Sequence, residues 1–520
     1  MKIVVMYAVT IAAAVGVTAG VLSPSGMKTQ AQTQGQGVEG ASQPRPVLGP
    51  PIYELDDRTM LRWPLPPSAP QYGKIDGFKL KPYVNALIAI AQKSHNDGHQ
   101  WWGRITGTPY YEETQQFIEQ QFKKFGVETR RQAFDLPPVW IPNSWELSAS
   151  SGGRTVALKT AQPTLRSPGT GDRSIDAEAV YVGLGSPTEV KRLDLKGKVV
   201  FVYSTPTPSA LRHSASTDGT MRRLQESGAA AVVIILGLPG NVTTQLWGSH
   251  GEEQTLDPVP TFSLGTDDGM TVRRMLETDP SVKVHLVLRV ETRTGLKPAA
   301  LWGVLPGKTD ENILIMAHPD GFFQGGLDNA SGVAVMLGLA EYFAKVPKEQ
   351  RRRTITFLST VGHHVSKDVG LLWMHDNMKD FWSKAVLTIN AEHVATTQVY
   401  RFDRLLVRSN AATAHRFFVG GNKRLHDILF SDFSLFGMGL YEAPQIRPSG
   451  DLIRLVDMAP GIEVIESNEF YHSDMDDNAV PAVGLEGIAR AFAKIVDDVN
   501  QLDRSQLVAV AGSSRSGPAR

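Results

Sequence analysis

Hydrophobic residues recur along this chain with two different periods, and the places where one gives way to the other outline its architecture. From residue 297 onward, short apolar runs predict strands at 313–317, 354–358, 385–389, 404–408 and 461–465. Between them, helical spacing predicts helices at 330–345, 366–377, 412–430 and 482–500. In the first of these, Val333, Met336, Leu337, Ala340 and Phe343 share one face. Strands alternating with helices imply an α/β fold: a mixed, mostly parallel sheet with helices on both faces.

Upstream, residues 78–126 read as two helical stretches. The second carries Phe117, Ile118, Phe122 and Phe125 on one face and stops at Gly126. The intervening loop holds His95, His99, Trp101 and Trp102, and reads as a packed loop rather than a site. Residues 127–160 alternate apolar and polar, as in edge strands. Residues 175–292 form a separate block of short strands with one helix.

Composition narrows the chemistry. The 520 residues are long enough for two or three domains, and Lys plus Arg equals Asp plus Glu at 53 each. A net charge of zero gives no global electrostatic case for nucleic acid or an anionic membrane. There is no cysteine, which excludes thiol catalysis, thiolate metal sites and disulfides. No G-x-S-x-G elbow occurs, which weakens a serine-hydrolase reading. Lys2 followed by the apolar run Ile3 to Leu22 predicts a signal peptide over residues 1–31 and an exported protein, periplasmic or extracellular. The alternative is an uncleaved membrane anchor. A Gln-, Ser-, Gly- and Pro-rich stretch makes 32–77 a linker or extended arm, and 503–520 reads as a disordered tail.

Candidate metal chemistry sits where strands give way to loops. His318 ends the run 313–317, Asp320 follows two residues later, and Asp328 precedes Asn329 in a Gly-rich loop that opens the next helix. A neutral imidazole, a carboxylate holding its other nitrogen and a carboxylate with two oxygens for two cations suit a metal pair at the carboxyl ends of strands. The plain alternative is a hydrogen-bonded loop histidine with two solvated aspartates. His363 and His364 follow the strand 354–358, Glu392 and His393 follow 385–389, Asp451 lies in a loop before 461–465, and His472 and Asp476 lie in NEFYHSDMDD. His213, His250, His285, His375, His415 and His426 are scattered and read as surface or core residues; His393, beside Glu392, is an outer-shell candidate.

The segments MAHPDG, GLDNASGV and YHSDMDD, with the helix entry GRITGTPYYEETQQFI, resemble the co-catalytic di-zinc aminopeptidases over residues 80–500. That group includes bacterial aminopeptidases, glutamate carboxypeptidase II and the transferrin receptor. DLKGKVVFVY and RRLQESGAAAVVII resemble the protease-associated domain, a β-rich insert; the alternative is one continuous α/β domain. The resemblance implies a zinc peptidase-like domain from 78–159 and 293–502, with the insert at 160–292.

It also implies one or two zinc ions, or another divalent metal. One metal would be held by His318, Asp328 and Glu392, the other by Asp328, His364 and His472, with Asp320 behind His318 in a catalytic supporting role. The family has Glu-Glu where this chain has His363-His364, and Asp where it has Glu392. His363 then falls on the position of the catalytic general base. The implied activity is a secreted metal-dependent exopeptidase, an aminopeptidase acting on peptides through a metal-activated water and slowed by these changes. A catalytically inactive binding protein is the alternative, and a glutaminyl-cyclase-like transferase a weaker third. Oligomeric state is not implied.

Overall fold

The strand Thr309–Ala317 belongs to two cores at once. Ile313, Ile315 and Ala317 join one hydrophobic cluster, whereas Leu314 and Met316 join another on the opposite face. Successive strand side chains point to opposite sides, so an unbroken apolar run is what a strand covered on both faces requires. The computed structural model describes residues 57–206, 212–249, 255–402, 405–476 and 480–507. The segments 1–56 and 508–520, which contain the expected signal peptide, most of the arm and most of the tail, lie outside the described residues. Among the described residues, no helix is long and apolar enough to cross a membrane.

Thr309–Ala317 is the middle of a seven-stranded mixed sheet. Its order is Glu128–Ala133, Ala299–Leu305, Arg353–Ser359, Thr309–Ala317, Ala385–Ala391, Gly461–Ile465 and Arg416–Gly420. The four strands from Arg353–Ser359 to Gly461–Ile465 are mutually parallel, and the outer ones pair antiparallel. Helices Gly77–Asn96, Pro109–Phe125, Gly332–Ala344, Lys423–Leu435 and Ala482–Asn500 supply the first cluster. Val369–Asn377 and Lys379–Lys384 contribute to the other face. This is the expected α/β class.

Local chemistry explains the element ends. Thr108 caps Pro109–Phe125 by accepting from the Tyr111 N–H, and Gly126 ends it in the left-handed conformation. The helix expected at 412–430 begins instead at Lys423, where Asn422 accepts from Arg424 and Leu425; Arg416–Gly420 is an edge strand. The aromatic and β-branched run Phe417-Phe418-Val419 outweighs helical spacing there. The arm is strapped to the last helix. Arg62 makes two bonds to Glu486, at 2.8 and 2.6 Å, and the Tyr72 hydroxyl donates to Asp497 at 2.7 Å.

A second, eight-stranded sheet takes up Val139–Ser151, Arg154–Ala157 and the strands from Gln162–Pro163 to Lys283–Arg293. Val139–Ser151, placed by sequence with the first domain, instead pairs along its length with Lys283–Arg293. Its backbone partners are there, so its residues join the second core.

One stability consequence concerns His415, which is fully buried and accepts from the Ala395 N–H. Burial pulls its pKa down to about 4. In the unfolded chain the value is about 6.5. The unfolded state therefore binds the proton first, and the stability present above pH of about 6.5 is lost as pH falls toward about 4, by up to roughly 3 kcal/mol. Urea unfolding between pH 7 and 4.5 should show a shallower pH slope for His415→Gln than for the wild type. Parallel slopes would contradict this.

Candidate metal centre

Four parallel strands deliver the site residues from their carboxyl ends. His318 directly follows Ala317, and Glu392 and His393 directly follow Ala391. His363 and His364 come after Ser359 through a turn at Gly362, whose φ is +89°. His472 lies beyond Gly461–Ile465. All are buried except His363, which is partly open to a cleft of about 950 Å³.

Asp328 is the centre of this arrangement, with its two oxygens facing different partners. Oδ1 lies 3.3 Å from His318 Nε2 and 3.1 Å from His393 Nε2. Glu392 Oε1 closes that side at 3.9 Å from His318 Nε2 and 4.0 Å from His393 Nε2. Oδ2 lies 2.8 Å from His472 Nε2 and 3.3 Å from His364 Nε2, and those two nitrogens are 3.2 Å apart. Zinc ligands at about 2.0–2.2 Å in a tetrahedron stand roughly 3.3–3.6 Å from one another. Both groups come near that spacing: four atoms on the Oδ1 side, three on the Oδ2 side.

The donor atoms themselves test the fit to divalent ions. His318 Nε2, Asp328 Oδ1 and His393 Nε2 are buried with no hydrogen-bond partner among the described residues. Burying such atoms unsatisfied is costly, and a cation is what a convergent set of lone pairs can bind. The outer nitrogens agree. His318 Nδ1 is 3.1 Å from the Asp320 carbonyl and His472 Nδ1 is 3.3 Å from the Gln245 carbonyl. A carbonyl only accepts, so each Nδ1 carries the proton and each Nε2 presents a lone pair inward.

Asp320 stands behind both sides. Its carboxylate is 3.4 Å from His318 Nδ1 and 3.5 Å from His364 Nδ1, and it accepts from the Thr106 hydroxyl and the His364 N–H. Burial raises its pKa, but His318 and His364 outweigh this and hold it well below the usual range. Asp328 is likewise held low, with His393 and His364 outweighing burial.

His363 is placed differently. Its ring stacks on His318 at 3.9 Å, and its Nδ1 meets Asp451 Oδ1 at 2.5 Å and Asp368 Oδ1 at 3.2 Å. Arg454 pairs with Asp368 at 2.8 Å. Burial lowers the imidazole's pKa, but Asp451 and Asp368 more than offset that and hold it well above its ordinary value. Its Nε2 lies 4.0 Å from Glu392 Oε1, on the side of the candidate ligands. A Cβ at Gly450 would lie 2.0 Å from Glu392 Oε2, so glycine there lets the Asp451 loop close on Glu392.

The structure thus brings together all seven residues singled out from sequence: His318, Asp320, Asp328, His363, His364, Glu392 and His472. It adds His393 to the ligand-facing set rather than the outer shell. Sequence reasoning missed Asp368, whose surroundings carry no motif. It also missed Arg104, a fully buried guanidinium that donates to the carbonyls of Pro319, Gln324 and Gly325 and clamps the loop between His318 and Asp328. Asp476 accepts from the N–H groups of Leu327 and Asp328 and fixes the central carboxylate from behind. His95, His99, Trp101 and Trp102 lie outside the cluster, and both tryptophans are buried.

A mixed α/β sheet bearing paired histidine–carboxylate groups at its strand ends is a zinc-exopeptidase-like fold. Residues 301–366 match the model of Peptidase family M28. The chain is 25% identical over 285 residues to Aminopeptidase YwaD of Bacillus subtilis, covering 54% of this chain and 55% of that protein. It is 23% identical over 267 residues to Probable glutamate carboxypeptidase VP8 of Zea mays, covering 42% of this chain and 36% of that one. The match thus spans about half the length of the first relative and about a third of the second. A zinc aminopeptidase structure from Bacillus subtilis superposes with a TM-score of 0.59 at 17% identity, covering 86% of this chain and 99% of that one. The match to the M28 model is thus confined to residues 301–366, and the chain is similar over part of its length to a bacterial aminopeptidase and to a probable glutamate carboxypeptidase.

Proposed function

We propose that this protein is an exported, zinc-dependent exopeptidase that removes N-terminal residues from peptides. The observation that carries this reading is Asp328, whose two oxygens each face a separate set of histidines. His318, Asp328, Glu392 and His393 would hold one ion, and Asp328, His364 and His472 the other. Bound there, divalent ions supply Lewis-acid polarisation of the scissile carbonyl and activate water for attack on it. Asp320 and the Gln245 carbonyl keep the histidine lone pairs turned inward. Asp451 holds His363 by Nδ1, so Nε2 faces the ligand side, and the imidazolium that Asp451 and Asp368 favour must first lose its Nε2 proton before it can accept one from water. An imidazole in place of the family's carboxylate makes the reaction slow. The second sheet is the protease-associated-type lobe of this enzyme and forms one wall of its cleft. Export rests on the apolar run Ile3 to Leu22.

The test is hydrolysis of aminoacyl-nitroanilides, with N-acetylated analogues as controls, by zinc-loaded and chelator-treated protein. Free-amine substrates should be cleaved slowly, blocked ones not, and chelation should abolish cleavage. Metal analysis should find two ions per chain. Absence of both zinc and chelator-sensitive cleavage would favour the binding-only alternative. Cleavage of blocked peptides with unblocked ones untouched would refute the aminopeptidase assignment.

A further inference from the structure

The two sets of ligands differ in what supports them. His318, Glu392 and His393 stand just beyond the carboxyl ends of first-sheet strands, and the ring stacked on His318 is His363, which follows another strand of the same sheet. His472 is gripped by residues 243–247, which lie between second-sheet strands Ala231–Leu236 and Thr261–Gly265. Thr244 and Ser473 form an antiparallel bridge. The Gln245 N–H donates to the His472 carbonyl at 2.8 Å, and the Asp474 N–H donates to the Thr243 carbonyl at 3.0 Å. The Thr243 N–H in turn donates to Asp474 Oδ1 at 3.1 Å. His472 itself has φ of +54°, a left-handed conformation uncommon for a non-glycine residue, and the bridge holds it there.

We infer that residues 243–247 are a positioning element for one ion of the pair, so that metal binding on the Asp328 Oδ2 side depends on the second-sheet lobe while binding on the Oδ1 side does not. This rests on the metal-centre reading above. The Gln245 carbonyl fixes the proton of His472 on Nδ1 and turns the Nε2 lone pair toward Asp328 Oδ2, 2.8 Å away. Two lone pairs at that separation repel unless a cation or proton lies between them. The Trp247 ring packs beside both histidines of this set, stacked 6.4 Å from His364 at an interplanar angle of 22° and tilted by 49° at 5.8 Å from His472. The segment is itself anchored. The Gln245 amide is buried, accepts from Trp101 and Gln162, and donates to the Pro163 carbonyl. Residues that orient a metal ligand from outside typically contribute about 10–100-fold to affinity.

The test is zinc and cobalt titration of the metal-free full chain by calorimetry, with the cobalt absorption spectrum as a second readout. Wild type should take two ions. Trp247→Ala and Asp474→Ala should keep one ion at wild-type affinity and bind the other about 10–100-fold more weakly, with loss of the matching cobalt bands. Trp247→Phe, which retains a ring, should restore binding to near wild type and serves if the alanine variants misfold. Two ions at wild-type affinity in the alanine variants would overturn the inference, as would equal weakening of both. Failure of the wild type to bind any zinc or cobalt would overturn the metal-centre reading itself and this inference with it.

Discussion

Asp328→Asn is expected to remove the ion pair and lower hydrolysis by at least about 10³-fold, the rate equivalent of several kcal/mol of lost Lewis-acid stabilisation. The substitution barely changes volume but replaces one acceptor oxygen with a donor NH₂ that cannot bind a cation. That group would face either His318 and His393 or His472 and His364, since the two Asp328 oxygens serve different pairs. One set loses its shared ligand outright, and the other loses the negative charge that balanced it. Zinc stoichiometry by mass spectrometry should fall from two to one or none. A variant that retains two ions and the wild-type rate would remove Asp328 from the bridging position and with it the central claim about the site.

Much of this site is visible in residue order because parallel strands export their chemistry to one edge. His318, Glu392 and the His363–His364 pair each follow an apolar run by zero to five residues, so finding the runs finds the candidates. The rest depends on backbone geometry that spacing does not encode. Glu392 and His393 are adjacent, and in a regular strand their side chains would point to opposite faces. His393 instead has φ of +47°, which breaks the alternation, and both side chains reach the neighbourhood of Asp328. Asp368 and Asp451 are 83 residues apart in number, yet both approach His363 Nδ1. The second-sheet strand Val139–Ser151 escaped for a related reason: alternation predicts a strand but not which partner it zips against.

The second large effect concerns His363. By residue type alone, His363→Glu looks like a return to the carboxylate base of the di-zinc aminopeptidases this chain resembles. The structure leads to the opposite expectation. An imidazolium at His363 and the guanidinium of Arg454 balance the two carboxylates Asp451 and Asp368, all within 2.5–3.2 Å of a partner. A glutamate there sets three carboxylates against one arginine, with Glu392 close by. Like charges at such distances cannot all ionise, and stripping the partner from a buried ion pair costs about 3–5 kcal/mol. The stacking of His363 on His318 is lost as well. His363→Glu should therefore unfold at lower urea than wild type in the metal-free state and turn over more slowly when zinc-loaded. Adding Asp451→Asn removes one negative charge and leaves two carboxylates against one arginine, so the double variant should regain part of the lost stability and exceed the single variant in kcat by about tenfold, a fraction of the roughly 10²–10⁴-fold that general-base catalysis contributes. His363→Ala should lose activity without any such rescue by Asp451→Asn. If His363→Glu alone proves as stable as wild type and faster, the charge balance is not what selects histidine at this position.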